Sequence, residues 1–437
     1  MRPLWPALAV TVCVAACSST PGSNDPFVGF GPNPSLPAPQ TSLIPPIGVP
    51  DVVGWPAGAA PTAPPGFTVT RYAEGLDHVR WLLVLPNGDV LAAQGAAPPS
   101  EGNRMNRGIK GWFKKRLMKK VKSAVPSPNR ITLLRDADGD GLAETKTTFA
   151  QGLSSPFGMT LAGDTLYVAN ADGVVSFPYQ PGQTQVSGRG TKVFDLPGPP
   201  INHHWTKNVV ASPDGSKLFA TVGSNSNIGD NGMAAEEGRA AVWVYDIASR
   251  QNRLFATGLR NPNGLDFEPT TGVPWTVVNE RDEIGNDVPP DYLTSVKDGG
   301  FYGWPYSYWG RIVDARVKPP RPDLVATAIQ PDYGLGAHTA SLGLTFYRAN
   351  AFPAPYRGGA FIGQHGSWNR QPLNGYRVVF VPFANGRPQM PPQAFLSGFL
   401  NADNKIQGRP VGVAVDSKGA LLVADDVGGI VWRVAAQ

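Results

Sequence analysis

Only two cysteines, Cys13 and Cys17, and five histidines occur in this chain of 437 residues. Both cysteines precede residue 18, so the rest of the chain has no disulfide and no thiolate metal site. No CxxCH is present, which excludes covalently attached haem. The apolar stretch after Arg2 falls short of the roughly 20 residues a membrane span needs. It closes on Val14-Ala15-Ala16-Cys17, which reads as a bacterial lipoprotein signal over residues 1–16 with lipidation at Cys17. The expectation is an exported, lipid-anchored protein facing the periplasm or cell envelope.

Sustained helical periodicity is also missing, whereas 51 glycines and 45 prolines punctuate the chain. Residues 18–65 alone hold 13 prolines, a composition that predicts a lipid-anchored, stiff tether over residues 17–65 and a globular domain over 66–437. Within that domain a turn followed by a short apolar run recurs as PNGDVLAAQ, LAGDTLYVAN, SPDGSKLFATV, EPTTGVPWTVV, YRGGAFIGQ and DSKGALLVADD. Gly88, Gly163, Gly215, Gly272, Gly359 and Gly419 mark the copies. Six such units predict an all-β fold, a six-bladed β-propeller with four-stranded antiparallel blades. Closure of the ring should pair FTVTRYA near residue 70 with GGIVWRVA at the end.

A basic insertion spans about 97–129. Its segment RGIKGWFKKRLMKKVK, residues 107–122, holds eight cations and no acid; against a net charge of +5, these leave the rest of the chain at −3. It reads as a solvated loop, as a segment resting on anionic lipid, or as a dock for an acidic redox partner. Nucleic acid is not an expected partner of an exported protein.

Polar residues placed just before inner strands of a propeller line the rim of its central channel. INHHWTKNVV puts His203 and His204 there, GLRNPNG puts Arg260 and Asn261, GQHGSWNR offers His365, Asn369 and Arg370, and GRPVGVAVD offers Arg409. Several cations around one channel predict an acidic ligand bearing carboxylates or phosphates. NERDEIGNDVPPDYL gathers Glu280, Asp282, Glu283 and Asp287, hard oxygen ligands suited to Ca²⁺. RDADGDGLAE spaces Asp136, Asp138 and Asp140 like an EF-hand loop, but Thr147 stands at its twelfth position, so an Asx-rich turn is an equal reading.

Ten segments in order, among them NRITLLRDADGDG, HHWTKN, GSNSNIG, GLRNPNG, NERDEIGND, GQHGSWNR and GRPVGVAVD, resemble the L-sorbosone dehydrogenase group. These are relatives of the soluble aldose dehydrogenases that use pyrroloquinoline quinone (PQQ). The resemblance covers residues 67–437 and implies a propeller with PQQ over the channel, a Ca²⁺ ion beside it and a histidine base. His204 matches that base, and His203 falls where the broader group has an acidic residue. Arg260 and Asn261 match the pair beside the quinone carbonyls, and Arg409 matches a carboxylate-binding arginine. Arg370 or Asn369 stands in for a lysine of the soluble enzymes. The backbone carbonyls of Asp282 and Glu283 would face the cofactor Ca²⁺, and side chains of that loop, Glu280 and Asp287 included, would hold a second ion.

The implied reaction oxidises a sugar or a sugar-derived aldehyde or hemiacetal by hydride transfer to PQQ, with electrons leaving to an external quinone or cytochrome. Neutral imidazole suits the proton abstraction, and Arg260 suits the developing negative charge. Trp205, Trp304 and Trp368 are candidates for stacking on sugar or cofactor, with blade packing the commoner use of tryptophan. Two other readings stay open: a Ca²⁺-dependent propeller lactonase or other hydrolase, and a non-catalytic sugar- or protein-binding lipoprotein.

Overall fold

The structure, a computed structural model, describes residues 21–40, 50–99 and 125–437. The signal segment, Cys17 and the basic segment 107–122 lie outside the described residues. Six sheets form the six blades of a β-propeller, antiparallel except where Gly300–Phe301 runs parallel to the outer strand Gln251–Thr257 of blade three. Their inner strands are Val79–Val84, Met159–Ala162, Val209–Ala211, Asn261–Phe267, Ser341–Phe346 and Pro410–Val415.

Each glycine-marked repeat is the hairpin between the first and second strands of a blade. Gly88, Gly163, Gly215, Gly272 and Gly419 adopt φ of 92°, 56°, 70°, 69° and 83°, where a side chain would be strained; in blade five Gly358, beside Gly359, takes this role with φ 74°. The ring closes as the alternation suggests. Phe67–Glu74 pairs with Ile430–Ala436 in a register from Phe67↔Ala436 to Glu74↔Ile430, so the N-terminal strand completes the C-terminal blade. The long gap between the fourth and fifth repeats holds an excursion in blade four that includes the short helix Pro322–Thr327. Among the described residues no helix is long and apolar enough to cross a membrane.

The proline-rich segment differs from the expected tether, because its described parts pack on the propeller. Phe30–Gly31 pairs with Leu335 and Gly334 and adds a fifth strand to blade four, with Phe30 buried. Trp55 packs edge-on against Phe399 and Trp432 and donates its indole N–H to Asp425 at 2.7 Å. Val52 bridges Ile406, and Thr62 bridges Ser397. A composition too poor to build its own core can still dock when a finished domain offers grooves for a few anchors; proline lowers the entropy lost in ordering it. Trp55→Ala is therefore expected to lower unfolding free energy by about 2–3 kcal/mol in denaturant titration, a value below full tryptophan burial because Trp55 is only partly covered. No change in the midpoint would return residues 50–65 to the role of tether.

Candidate active site

All inner strands run the same way around the ring, so their first residues share one rim with the ends of the antiparallel second strands. His78 and Arg80, His204, Arg260, Ser341 and Arg409 stand at or beside inner-strand starts. Ser224, Asp282, His365 and Asp426 follow the second strands of blades three, four, five and six. These positions bring all five histidines of the chain to this rim or its margin.

His204 Nδ1 lies 2.9 Å from both the carbonyl oxygen and Oγ of Ser224. The Ser224 hydroxyl donates its own proton to Ser226 O at 2.7 Å, so both atoms facing Nδ1 act as acceptors. Nδ1 therefore carries the hydrogen, and Nε2 carries the lone pair. Burial, with Arg260 and His203 nearby, lowers the His204 pKa well below its ordinary value and keeps the ring neutral. His203 lies edge-on to it at 4.6 Å between ring centroids. Gly223 makes room for this arrangement, since a Cβ there would stand 2.5 Å from His204 Cβ and 2.4 Å from Asn261 Oδ1. Ser224 thus does the orienting that the sequence left unassigned at His203.

Arg260 is fixed on every side. It donates to Asn227 O at 3.1 Å, Asn227 Oδ1 at 2.9 Å and Glu280 O at 2.6 Å, and it pairs with Asp282 at 3.2 Å. Asp282 also accepts from Asn369 at 2.7 Å and faces His338 Nδ1 at 3.6 Å. Burial opposes its ionisation, but Arg260 and His338 hold its carboxyl well below the usual range. Asn261 Nδ2 approaches Asn279 Oδ1 at 3.3 Å, while its own buried Oδ1 has no partner.

Across the rim, Asp426 accepts Arg80 at 2.5 Å and His365 at 3.0 Å. Burial, with Arg409 beside it, pushes His365 down to about 3, so it meets Asp426 as a neutral N–H donor. Burial opposes ionisation of Asp426 too, yet His365 and Arg80 hold it well below the carboxylate range. Arg409 donates to the carbonyls of His365 and Gly366, each at 2.8 Å, and lies over the Tyr376 ring. Its remaining terminal nitrogen has no hydrogen bond among the described residues, and Arg80 Nε is buried without one.

The carboxylates proposed as a metal cage do not converge. Glu280 is held by Arg281 at 3.0 Å, Asp287 by Arg370 at 2.5 Å and by Ser23 N at 2.8 Å, and Glu283 faces solvent. The Asp282 carbonyl accepts Arg316 at 3.1 Å and Asn227 at 3.3 Å. This donor set does not converge on one point as a resident Ca²⁺ needs: arginines pair with Glu280, Asp282 and Asp287, Glu283 is exposed, and Oε1 of Glu280 is buried without a hydrogen bond. Arg370 likewise leaves the expected cofactor set: its guanidinium binds Asn286 O, Pro372 O, Ser23 O and Asp287, clamping the N-terminal segment. Asn369 stays at the rim through Asp282. Of the tryptophans, Trp205 is buried under Arg80, Trp304 is buried with its N–H on Asn227 O, and Trp368 is exposed.

Among the described residues one carboxylate group is close enough to hold an ion: Asp136, Asp138, Asp140 and Glu144, with ligand atoms within 4.8 Å of one another. Glu144, rather than Thr147, completes it. Lys418 Nζ stands 3.3 Å from Asp136 and already brings a cation there.

The TrAA12-like family matches residues 129–295 and 325–437. The chain belongs to this family. It is 27% identical over 299 residues to an uncharacterized protein of Borreliella burgdorferi, covering 66% of this chain and 77% of that one. It is also 27% identical over 264 residues to a pyrroloquinoline quinone-dependent pyranose dehydrogenase of Coprinopsis cinerea; that match covers 51% of this chain and only 35% of the relative. Among solved structures, the holo PQQ domain of the Coprinopsis cinerea pyranose dehydrogenase superposes with a TM-score of 0.66 at 20% identity, over 86% of this chain and 97% of that one. The soluble aldose sugar dehydrogenase of Escherichia coli gives 0.57 at 16% identity, over 85% and 100%. At these identities the structural likeness establishes the shared propeller.

Proposed function

We propose that this TrAA12-like propeller is a PQQ-dependent dehydrogenase acting on a sugar or a sugar-derived aldehyde or hemiacetal, L-sorbosone-like or aldose. The observation that carries the reading is His204, neutral and partly buried, with no hydrogen bond at its Nε2 among the described residues and a guanidinium close by. The dehydrogenase names of the relatives support it. The residues fit an anionic quinone. Arg80, Arg260 and Arg409 face two carboxylates, Asp282 and Asp426, and unused donors remain on Arg80 and Arg409. Arg409 and Arg80 would hold its carboxylates, and Asn261 would stand beside it.

When bound, PQQ supplies the acceptor for hydride. His204 Nε2 takes the substrate hydroxyl proton, and Ser224 stabilises the imidazolium that forms by accepting Nδ1–H. Arg260, locked by backbone carbonyls, keeps positive charge fixed next to the reacting centre without reorganising. Electrons pass to an external acceptor, and the lipid anchor at Cys17 would keep the enzyme at a membrane. The hydrolase reading needs a carboxylate cage in the channel, whereas Glu280, Asp282 and Asp287 of this loop pair with Arg281, Arg260 and Arg370 and Glu283 is exposed.

Titrating PQQ into purified protein while following visible absorbance and dye-coupled oxidation of aldoses and sugar aldehydes tests the proposal. Arg409→Ala is expected to weaken PQQ affinity by at least about tenfold with a nearly unchanged saturated rate; Arg260→Ala is expected to act mainly on that rate. Wild-type protein that shows neither a new absorbance nor oxidation would end the dehydrogenase reading.

A further inference from the structure

A cavity of about 470 Å³ opens between blades one and six, at the margin of the site and two blades around the ring from His204. Asp77, His78, Arg130 and Asp426 form its polar wall, and Leu76, Val125 and Val427 its apolar one. We propose that this cavity is a saccharide subsite, binding non-reacting units of a neutral oligosaccharide whose reacting end lies at His204. The assignment of the reacting end rests on the dehydrogenase reading; saccharide binding here does not depend on turnover.

Charge decides the ligand class. Arg130 is paired with Asp77 at 2.5 Å, and Asp426 is committed to Arg80 and His365. An anion would meet no unneutralised cation, and a metal ion would meet two carboxylates already paired with arginines. Hydroxyl groups suit such a wall, because each can donate to a carboxylate and accept from a guanidinium. Asp77 keeps 69% of its side chain exposed and so has lone pairs to offer.

His78 supplies the second, independent observation. Its φ of 53° is an uncommon conformation for a side chain with a Cβ, held directly before an inner strand. Its buried Nδ1 has no hydrogen bond: the nearest carboxylate oxygen, on Asp426, is 3.4 Å away. A ring nitrogen held only by a long contact to a carboxylate that Arg80 and His365 already share is a place where a ligand hydroxyl lowers the energy. Leu76, Val427 and the prolines Pro126 and Pro128 give the C–H face of a pyranose ring an apolar surface. Asp426 joins the cavity to the rim, since it also holds His365, whose carbonyl fixes Arg409.

Calorimetric titration of the protein without added cofactor, using glucose, cellotetraose and maltotetraose, tests the subsite. At least one tetrasaccharide should bind about tenfold or more tighter than glucose. His78→Asn, which tolerates the left-handed backbone, and Val427→Trp, which fills the cavity, should each weaken that binding at least fivefold with unchanged melting temperature. Glucose oxidation by the PQQ-loaded variants should stay near wild type. Equal affinity for glucose and both tetrasaccharides, or variants that bind like wild type, would overturn the subsite. Tetrasaccharide binding lost in both variants, but with no oxidation by any loaded form, would remove the dehydrogenase reading and keep the saccharide site.

Discussion

His204→Gln should lower the saturated rate of sugar oxidation by about two orders of magnitude or more while PQQ still binds, as expected for loss of a general base. Glutamine fills similar space and can still donate to Ser224, so the variant isolates the missing Nε2 lone pair from any collapse around Gly223. The pH profile adds a readout that packing alone would not move. Since burial and Arg260 depress the His204 pKa, the wild-type rate should not fall away at the ordinary histidine value of about 6.5 but persist to lower pH. His203→Gln should change the rate far less, because Ser224, not His203, orients the base. A His204→Gln enzyme with near wild-type rate would remove the assignment.

The largest stability effect is expected at Asp426. Asp426→Ala leaves Arg80 buried, with Arg409 close by and no carboxylate, which should cost about 3–5 kcal/mol in denaturant unfolding. Asp298→Ala, which breaks an exposed pair with Arg253, should cost at most about 1 kcal/mol. The sign of the pH dependence follows from the depressed folded-state pKa of Asp426. Its contribution is complete above the unfolded carboxylate value of about 3.9 and is lost as pH falls toward the folded value. The gap between wild type and variant should therefore narrow in acid. Equal costs for the two substitutions near neutral pH would mean that Asp426 is not the anchor of that side of the rim.

By itself the sequence determined the propeller and half of its rim. Turn glycines and short apolar runs act within a few residues, so the six hairpins around Gly88 to Gly419, and the closing pair of Phe67–Glu74 with Ile430–Ala436, could be read from local pattern. His204, Arg260 and Arg409 were legible for the same reason, since each precedes an inner strand. Only the tertiary structure decided which polar groups meet. Ser224 faces His204, Asp426 gathers residues from blades one and five, and Arg370 turns away from the rim to clamp Ser23 and Asp287. His78 and Arg80 carried the same signal of a polar residue at an inner-strand start, and an inventory of that one position would have found them. The carboxylates of the Glu280–Asp287 loop looked like a cage because they are close in sequence; in space Arg260 and Arg370, from other segments, engage Asp282 and Asp287, and Arg281 holds Glu280. The proline-rich segment misled in the opposite direction. Composition governs whether a segment can build a core of its own, whereas docking depends on grooves that exist only once the other blades have folded, and Phe30 and Trp55 find theirs on blades four and six.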